Sequence, residues 1–261
     1  MTAPPKVFIT GASSGLGLAL AEAYARQGAT LGLVARRGDS LAEFARRHPD
    51  LPISIHPADV RHAAALQAAA DAFVAAHGWP DVVIANAGIS KGAITGEGDL
   101  AAFREIMDVN YYGMVASFEP FVAAMKAARR GTLVGVASVA GVRGLPGSGA
   151  YSASKSAAIK YLEALRVELR PSRVGVVTIA PGYIRTPMTE HNPYPMPFLM
   201  DAERFAERAL RAIAAQDAFR VIPWQMGLVA KILHVAPRWL YDRLFEKAPR
   251  KPRAPDPKAE G

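Results

Sequence analysis

The sequence predicts an α/β fold, a doubly wound parallel sheet of about seven strands with helices on both faces. Three observations predict it. Short apolar, β-rich runs alternate with longer helical patterns along the chain to about residue 222. The strand runs are continuous rather than alternating, as in Val82-Val83-Ile84 and Val174 to Ile179, which is what burial on both faces requires. The first strand, Val7-Phe8-Ile9-Thr10, leads directly into a glycine-rich turn and then a helix, the opening unit of such sheets.

In chain order, strands read at about 6–10, 30–35, 52–57, 81–85, 131–137, 173–180 and 219–222. Helical patterns fall between them at about 16–27, 39–48, 62–77, 99–127, 151–170 and 201–215. The first helix is the alanine-rich run from Leu16 to Gln27, stopped by Gly28 as its C-terminal cap. The third is alanine-rich enough to resemble low complexity, but Leu66, Ala70, Phe73 and Val74 recur with the period of a packed helix. No internal repeat is present. Residues 1–223 read as one domain, 224–246 as amphipathic helices and 247–261 as a disordered tail. Ligands of a doubly wound sheet bind at the carboxyl ends of its strands. The glycine turn, Asn86, Ser138 and Pro181 all stand at such ends, so the topology predicts one shared site.

Composition narrows the chemistry. At 261 residues, 51% hydrophobic and 21% charged, the chain can bury one large core. The absence of cysteine excludes disulfides, a thiol nucleophile and thiolate-bound metal. The histidines at 48, 56, 62, 77, 191 and 234 lack metal-ligand spacing and read as scattered surface groups, so no metal site is expected. No basic-then-apolar leader precedes the first strand, and no apolar stretch approaches ~18 residues without a charge. The expectation is a cytoplasmic protein. The net charge of +8 suits a nucleic acid in principle, but it concentrates in the C-terminal region and no nucleic-acid motif accompanies it. No nucleic-acid partner is expected.

Two constellations carry chemistry. Gly11-Ala12-Ser13-Ser14-Gly15-Leu16-Gly17 stands between a strand and a helix, where glycines let the backbone approach a pyrophosphate and the free N–H groups of the helix start attract its charge. Tyr151-Ser152-Ala153-Ser154-Lys155 puts a phenol and an ammonium four residues apart, on one helix face. A free phenol has a pKa of about 10, and a neighbouring positive charge favours its phenolate, bringing it toward the range of a general acid–base.

Together these motifs resemble the short-chain dehydrogenase/reductase family in its form of about 250 residues, with a Rossmann-type fold. The resemblance spans roughly residues 6 to 223. Thr10 to Gly17 matches the cofactor turn, Asp59-Val60 the adenine-contacting pair and Asn86-Ala87-Gly88 the motif after the fourth strand. Asn110 sits in the following helix, Ser138 ends the fifth strand, and Pro181-Gly182 leads to Thr186. One departure is Ala85, where the family usually has a second asparagine.

The resemblance implies a catalytic set of Asn110, Ser138, Tyr151 and Lys155. Tyr151 would exchange a proton with the substrate oxygen, and Ser138 would hydrogen-bond that oxygen. Lys155 would depress the phenol pKa and hold the nicotinamide ribose, and Asn110 would hold a water linking Lys155 to solvent. The cofactor site would comprise Gly11, Ser13, Ser14, Gly15, Leu16, Gly17, Arg36, Asp59, Val60, Asn86, Ala87, Gly88, Pro181, Gly182, Ile184 and Thr186, with Tyr151 and Lys155. The second strand ends in Val34-Ala35-Arg36-Arg37 with no acid until Asp39. A carboxylate there would select NAD(H). Arg36, aided by the Ser13 hydroxyl, selects a 2′-phosphate, so NADP(H) is expected. Rival readings are a non-catalytic NADP(H) sensor, which would usually lack the Tyr–Lys pair, and a sugar-nucleotide epimerase, which would carry Gly-x-x-Gly-x-x-Gly and a longer substrate domain. The family also implies a homo-oligomer, a dimer or tetramer.

The C-terminal region is the most individual. The resemblance implies a substrate lid at about 187–215; within it Met188 to Met200 carries Pro193, Pro195, Pro197, Tyr194 and Phe198, an apolar stretch that points to a lipophilic carbonyl or alcohol substrate, with a sugar-like polar carbonyl as the alternative. Trp224, Leu228, Ile232, Val235 and Trp239 recur at helical spacing, broken at Pro237, and residues 220–261 hold nine Lys/Arg against four Asp/Glu. A basic, tryptophan-bearing pair of helices suits peripheral contact with an anionic membrane; covering the cleft or a subunit interface are the alternatives.

Overall fold

The computed structural model describes residues 3–253, apart from 191 and 193. Seven parallel strands run in the order β3-β2-β1-β4-β5-β6-β9: β1 (Lys6–Thr10), β2 (Thr30–Ala35), β3 (Ile53–Pro57), β4 (Val82–Ala85), β5 (Thr132–Val136), β6 (Gly175–Pro181) and β9 (Phe219–Ile222). The apolar runs are central because they are buried on both sides: Val7 pairs with Leu31 of β2 and with Val82 of β4. One face packs α1 (Gly15–Ala25), α2 (Gly38–Arg47) and α7 (Ala202–Ala214) through Leu20, Phe44 and Phe205. The other packs α3 (Ala63–His77), α5 (Gly113–Ala128) and α6 (Gly149–Leu169) through Phe73, Phe118 and Leu162. The strand order reverses between β1 and β4, which opens the ligand crevice beside the glycine turn.

The long helix expected at 99–127 is divided. α4 (Leu100–Met107) passes through one wide π-type turn, Asp108–Tyr112, into α5. Such a turn inserts one residue without breaking the helix, so apolar periodicity does not reveal it. It brings Asn110 inward, fully buried. A second small sheet pairs β7 (Ile184–Arg185) with β8 (Met200–Asp201), bracketing the stretch between them. Two residues per strand leave no pattern to read. Pro193 and His191 lie outside the described residues.

As expected, the C-terminal helices break at Pro237, into α8 (Trp224–Val235) and α9 (Arg238–Phe245). Arg143 anchors both. Its guanidinium donates to the carbonyls of Leu233, His234 and Ala236 at 2.9–3.2 Å and lies 4.3 Å from the centre of the Tyr241 ring, whose hydroxyl bonds the Gly144 carbonyl. The disordered tail expected from residue 247 is corrected as far as 253. That segment lies as a strap along residues 90–99: Gly92 N–H donates to the Pro252 carbonyl at 3.1 Å, Lys251 Nζ to Ser90 Oγ at 2.9 Å, and Arg253 to both Asp99 oxygens at 2.9 Å. Proline and charge usually signal too little apolar surface to fold, but this strap is held by polar bonds instead. Residues 254–261 lie outside the described residues. Among the described residues no helix is long and apolar enough to cross a membrane, and no group of side chains suits a metal ion.

Candidate active site

The glycine turn is built on a weld between two strand ends. Asn86 Nδ2, just past β4, donates to the carbonyls of Thr10 and Gly11 at 3.1 and 3.2 Å. Gly17 is pressed so closely on this turn that a Cβ would lie 2.2 Å from the Gly11 carbonyl oxygen, so only glycine lets α1 start there. No side chain caps the start of α1 at Ser14, so its first N–H groups remain available for an anion. In front lies a cleft of about 330 Å³. It is lined by every residue expected to hold a cofactor except Gly17, which sits behind the turn.

The cationic rim differs from the expectation in one residue. Arg37, which the motif reading passed over, donates from Nη2 to Ser13 Oγ at 3.2 Å and Ser14 Oγ at 3.0 Å, while Arg36 stands exposed beside it. Both line the cleft. Asp59 is gripped by Arg61 through bonds of 2.6–3.1 Å, which hold its carboxyl below the usual carboxylate range. On the opposite wall the unforeseen Thr189 orders the segment around Ile184 and Thr186. Its hydroxyl donates to the Ile184 carbonyl at 2.7 Å and accepts from Thr186 N–H at 3.1 Å. Open helix N–H groups, a closely packed glycine turn and two arginines fit a dinucleotide phosphate, so the residues present suit a nicotinamide nucleotide.

Ser138, Tyr151 and Lys155 meet at the inner end of this cleft. Burial raises the Tyr151 phenol above its ordinary range, and the Ser138 hydroxyl beside it pulls it back. Lys155 is only 3% exposed, and this desolvation lowers its ammonium to about 8. The spacing argument placed that ammonium against the phenol. Here it donates to the Val136 carbonyl at 2.8 Å and lies 5.9 Å from the centre of the tyrosine ring. The Ser138 hydroxyl is thus the group in direct hydrogen-bond contact with the phenol, with the ammonium farther off.

Asn110 stands one layer behind. Its amide donates to the Ile89 carbonyl at 3.0 Å and Ser154 Oγ at 2.9 Å, and its Oδ1 accepts from Ile89 N–H at 2.8 Å. Ser154 in turn donates to the Tyr151 carbonyl at 2.8 Å, so the second serine of the Tyr-x-x-x-Lys stretch ties the π-type turn to α6. A methyl group on Gly88 would stand 3.3 Å from Asn110 Oδ1 and 3.4 Å from Lys155 Nζ. Both atoms thus border the same small space.

A second cavity, of about 280 Å³, meets the cleft at Ser138, Tyr151, Gly182, Met188 and Thr189. Leu145, Pro146, Tyr183, Tyr194 and Phe245 give it a mostly apolar wall. Burial pushes the Tyr194 phenol up to about 12, which keeps it neutral. Phe245 of α9 and Ala248, Pro249 and Lys251 of the strap complete its outer end, so the C-terminal region covers the cavity.

A parallel sheet with an anion-binding turn at its switch point, opening on a buried Ser–Tyr–Lys cluster, defines a nucleotide-dependent α/β enzyme domain. Residues 5–195 match the family described as short chain dehydrogenase. The chain is 36% identical over 236 residues to an uncharacterized oxidoreductase of Myxococcus xanthus, covering 90% of this chain and 93% of the relative. Among solved structures, a short chain dehydrogenase of Burkholderia cenocepacia in complex with NADP is 27% identical, with a TM-score of 0.79 over 92% of this chain and 97% of that one. A short chain dehydrogenase/reductase of Burkholderia phymatum in complex with NAD is 25% identical, with a TM-score of 0.81 over 97% of each chain. The chain belongs to the short-chain dehydrogenase/reductase family. It is an oxidoreductase of that family, with a nicotinamide nucleotide as its cofactor.

Proposed function

We propose that this protein is an NADP(H)-dependent oxidoreductase that interconverts a carbonyl and a secondary alcohol on a predominantly lipophilic molecule. One observation carries the reading. A phosphate-suited cleft and a mostly apolar cavity meet at Ser138 and Tyr151, so a group reaching in from each side comes together at a buried proton donor. The nicotinamide, when bound, supplies or accepts the hydride. The protein's residues handle the proton and the geometry. Tyr151 donates its phenol proton to the carbonyl oxygen, and Ser138 hydrogen-bonds that oxygen as negative charge develops on it. Lys155 stabilises the resulting phenolate by its charge and holds the ribose side of the cleft. Asn110 and Lys155 face one small space, where Asn110 would hold a water that passes a solvent proton to Lys155 and so back to Tyr151. Arg36 and Arg37 bind the 2′-phosphate.

The test is NADPH consumption across a panel of lipophilic ketones and polar sugars. Tyr151→Phe keeps the ring but removes the transferable proton, so turnover should fall at least ~10²-fold while NADPH binding survives. Near-normal turnover by the variant would overturn the mechanism.

The outer face of α8 and α9 favours a further element of this reading. Trp224, Leu228, Ile232, Val235 and Trp239 are all more than half exposed, with Lys231, Arg238 and Arg243 among them. Such a stripe suits the surface of an anionic membrane, from which a lipophilic substrate would arrive. Co-sedimentation with phosphatidylserine vesicles at low salt checks this, and protein that stays in the supernatant refutes it.

A further inference from the structure

The apolar cavity has one chemically distinct end. Among its described lining residues there is a single cation, Lys251, and no acid. Lys251 is half-buried, and its Nζ donates to Ser90 Oγ, a neutral partner, at 2.9 Å. The acids around it are engaged elsewhere. Asp99 and Glu97 are paired with Arg253, and Glu105 with Lys91 at 2.6 Å. With no carboxylate partner among the described residues, this partly desolvated ammonium is poorly compensated, and burial already lowers its pKa. Because Ser90 Oγ accepts from the lysine, its own proton is free to point into the cavity. Two donors therefore line the same cavity that reaches Tyr151.

The lysine is held there by the strap, not by chance packing of a tail. Gly92 lies so close that a Cβ would meet the Lys251 carbonyl oxygen at 2.3 Å, and its N–H bonds the Pro252 carbonyl. Arg253 clamps the next turn of chain onto Asp99 and Glu97.

We propose that Lys251 and Ser90 form a carboxylate-binding end of the substrate cavity, which selects oxo acids: an apolar body lies between an acid group at Lys251 and the carbonyl at Tyr151. The carbonyl half of this statement rests on the proposed function, while the carboxylate half can be tested without turnover. Calorimetric titration of the full chain with octanoate and with octanamide compares the same body with and without charge. The wild type should hold octanoate at least ~10-fold more tightly, the effect expected of charge-assisted bonds. Lys251→Met should erase that preference and Lys251→Arg should keep most of it. Equal affinity of the wild type for the two ligands, failure to bind either, or octanoate binding indifferent to Lys251→Met would each overturn the proposal. Reduction of a medium-chain oxo acid by NADPH then tests the reaction separately. Octanoate binding through Lys251 without any carbonyl turnover would sink the proposed function and leave the acid site standing. Turnover of neutral ketones without any preference for the acid would do the reverse.

Discussion

Replacing Arg36 and Arg37 separately is the sharpest test of how the cleft chooses its nucleotide. The two arginines are adjacent, both exposed and both on the cleft wall, but only Arg37 is already oriented. Its Nη2 bonds Ser13 and Ser14 at 3.2 and 3.0 Å, which holds the guanidinium over the glycine turn. A charge-assisted bond to a phosphate is worth about 1.5–3 kcal/mol, or about ten- to a hundredfold in affinity. Arg37→Ala should weaken NADPH binding by about that factor and leave NADH nearly unchanged, since NADH lacks the 2′-phosphate. Arg36→Ala should produce a comparable or smaller loss, and Arg36→Asp should invert the preference, because a carboxylate would bond the ribose hydroxyls and repel a phosphate. Dissociation constants by nucleotide fluorescence at fixed ionic strength decide the matter, since exposed charges are screened by salt. Equal affinity of the wild type for the two nucleotides, or an Arg37→Ala variant that weakens both alike, would refute the reasoning.

Asn110→Ala leaves the Ile89 N–H and carbonyl without their buried partner, which should cost about 2–4 kcal/mol and lower Tm by on the order of 5–15 °C. Calorimetry showing a loss under ~2 °C would assign those groups another partner. Lys155 has a folded pKa of about 8, below its unfolded value of ~10.4, so the unfolded chain binds more protons between the two. Its penalty is complete below about 8 and is relieved as pH rises. Urea unfolding should therefore show wild type gaining on Lys155→Met between pH 8 and 10, and a constant difference would refute it. Arg143→Ala removes three carbonyl bonds and a ring contact, so amide exchange in α9 and the strap should rise while β1 and β4 stay protected. Uniformly faster exchange would mean that α9 is not held locally.

How much of this was legible in the sequence depends on what each part must satisfy. β1, β4, β5 and β6 were plain because burial on both faces favours long apolar runs, interrupted by single buried threonines such as Thr10 and Thr178. Ser138, Tyr151, Lys155 and the glycine turn followed from motif order, because topology carries every strand end to one rim. Arg37 was passed over beside Arg36, since two adjacent exposed arginines look alike in sequence. What separates them is the path of the chain after β2, which turns Arg37 toward Ser13 and Ser14. Lys155 stands differently from what helical spacing alone suggests. Helical spacing sets which residues share a face, but the Val136 carbonyl across the sheet captures the ammonium. Asn110 was found by motif, but the π-type turn that aims it was invisible, because it changes the hydrogen bonding and not the apolar pattern.

The strap was the largest gap, and its illegibility is instructive. Lys251-Pro252-Arg253 carries none of the apolar periodicity by which packed segments announce themselves. Its seat is a glycine with no motif around it, Gly92, together with Ser90 and two acids on the loop after β4. Each of these residues is ordinary alone, and only their distance in space makes them one feature. The cofactor side of the molecule, in contrast, handles a fixed ligand through short local motifs. Its chemistry can therefore be read from spacing along the chain. The substrate side is assembled from the lid, α9 and the strap, which meet only in the folded state. A change of substrate can be made there without disturbing the sheet, so the least legible segment is also where specificity can reside.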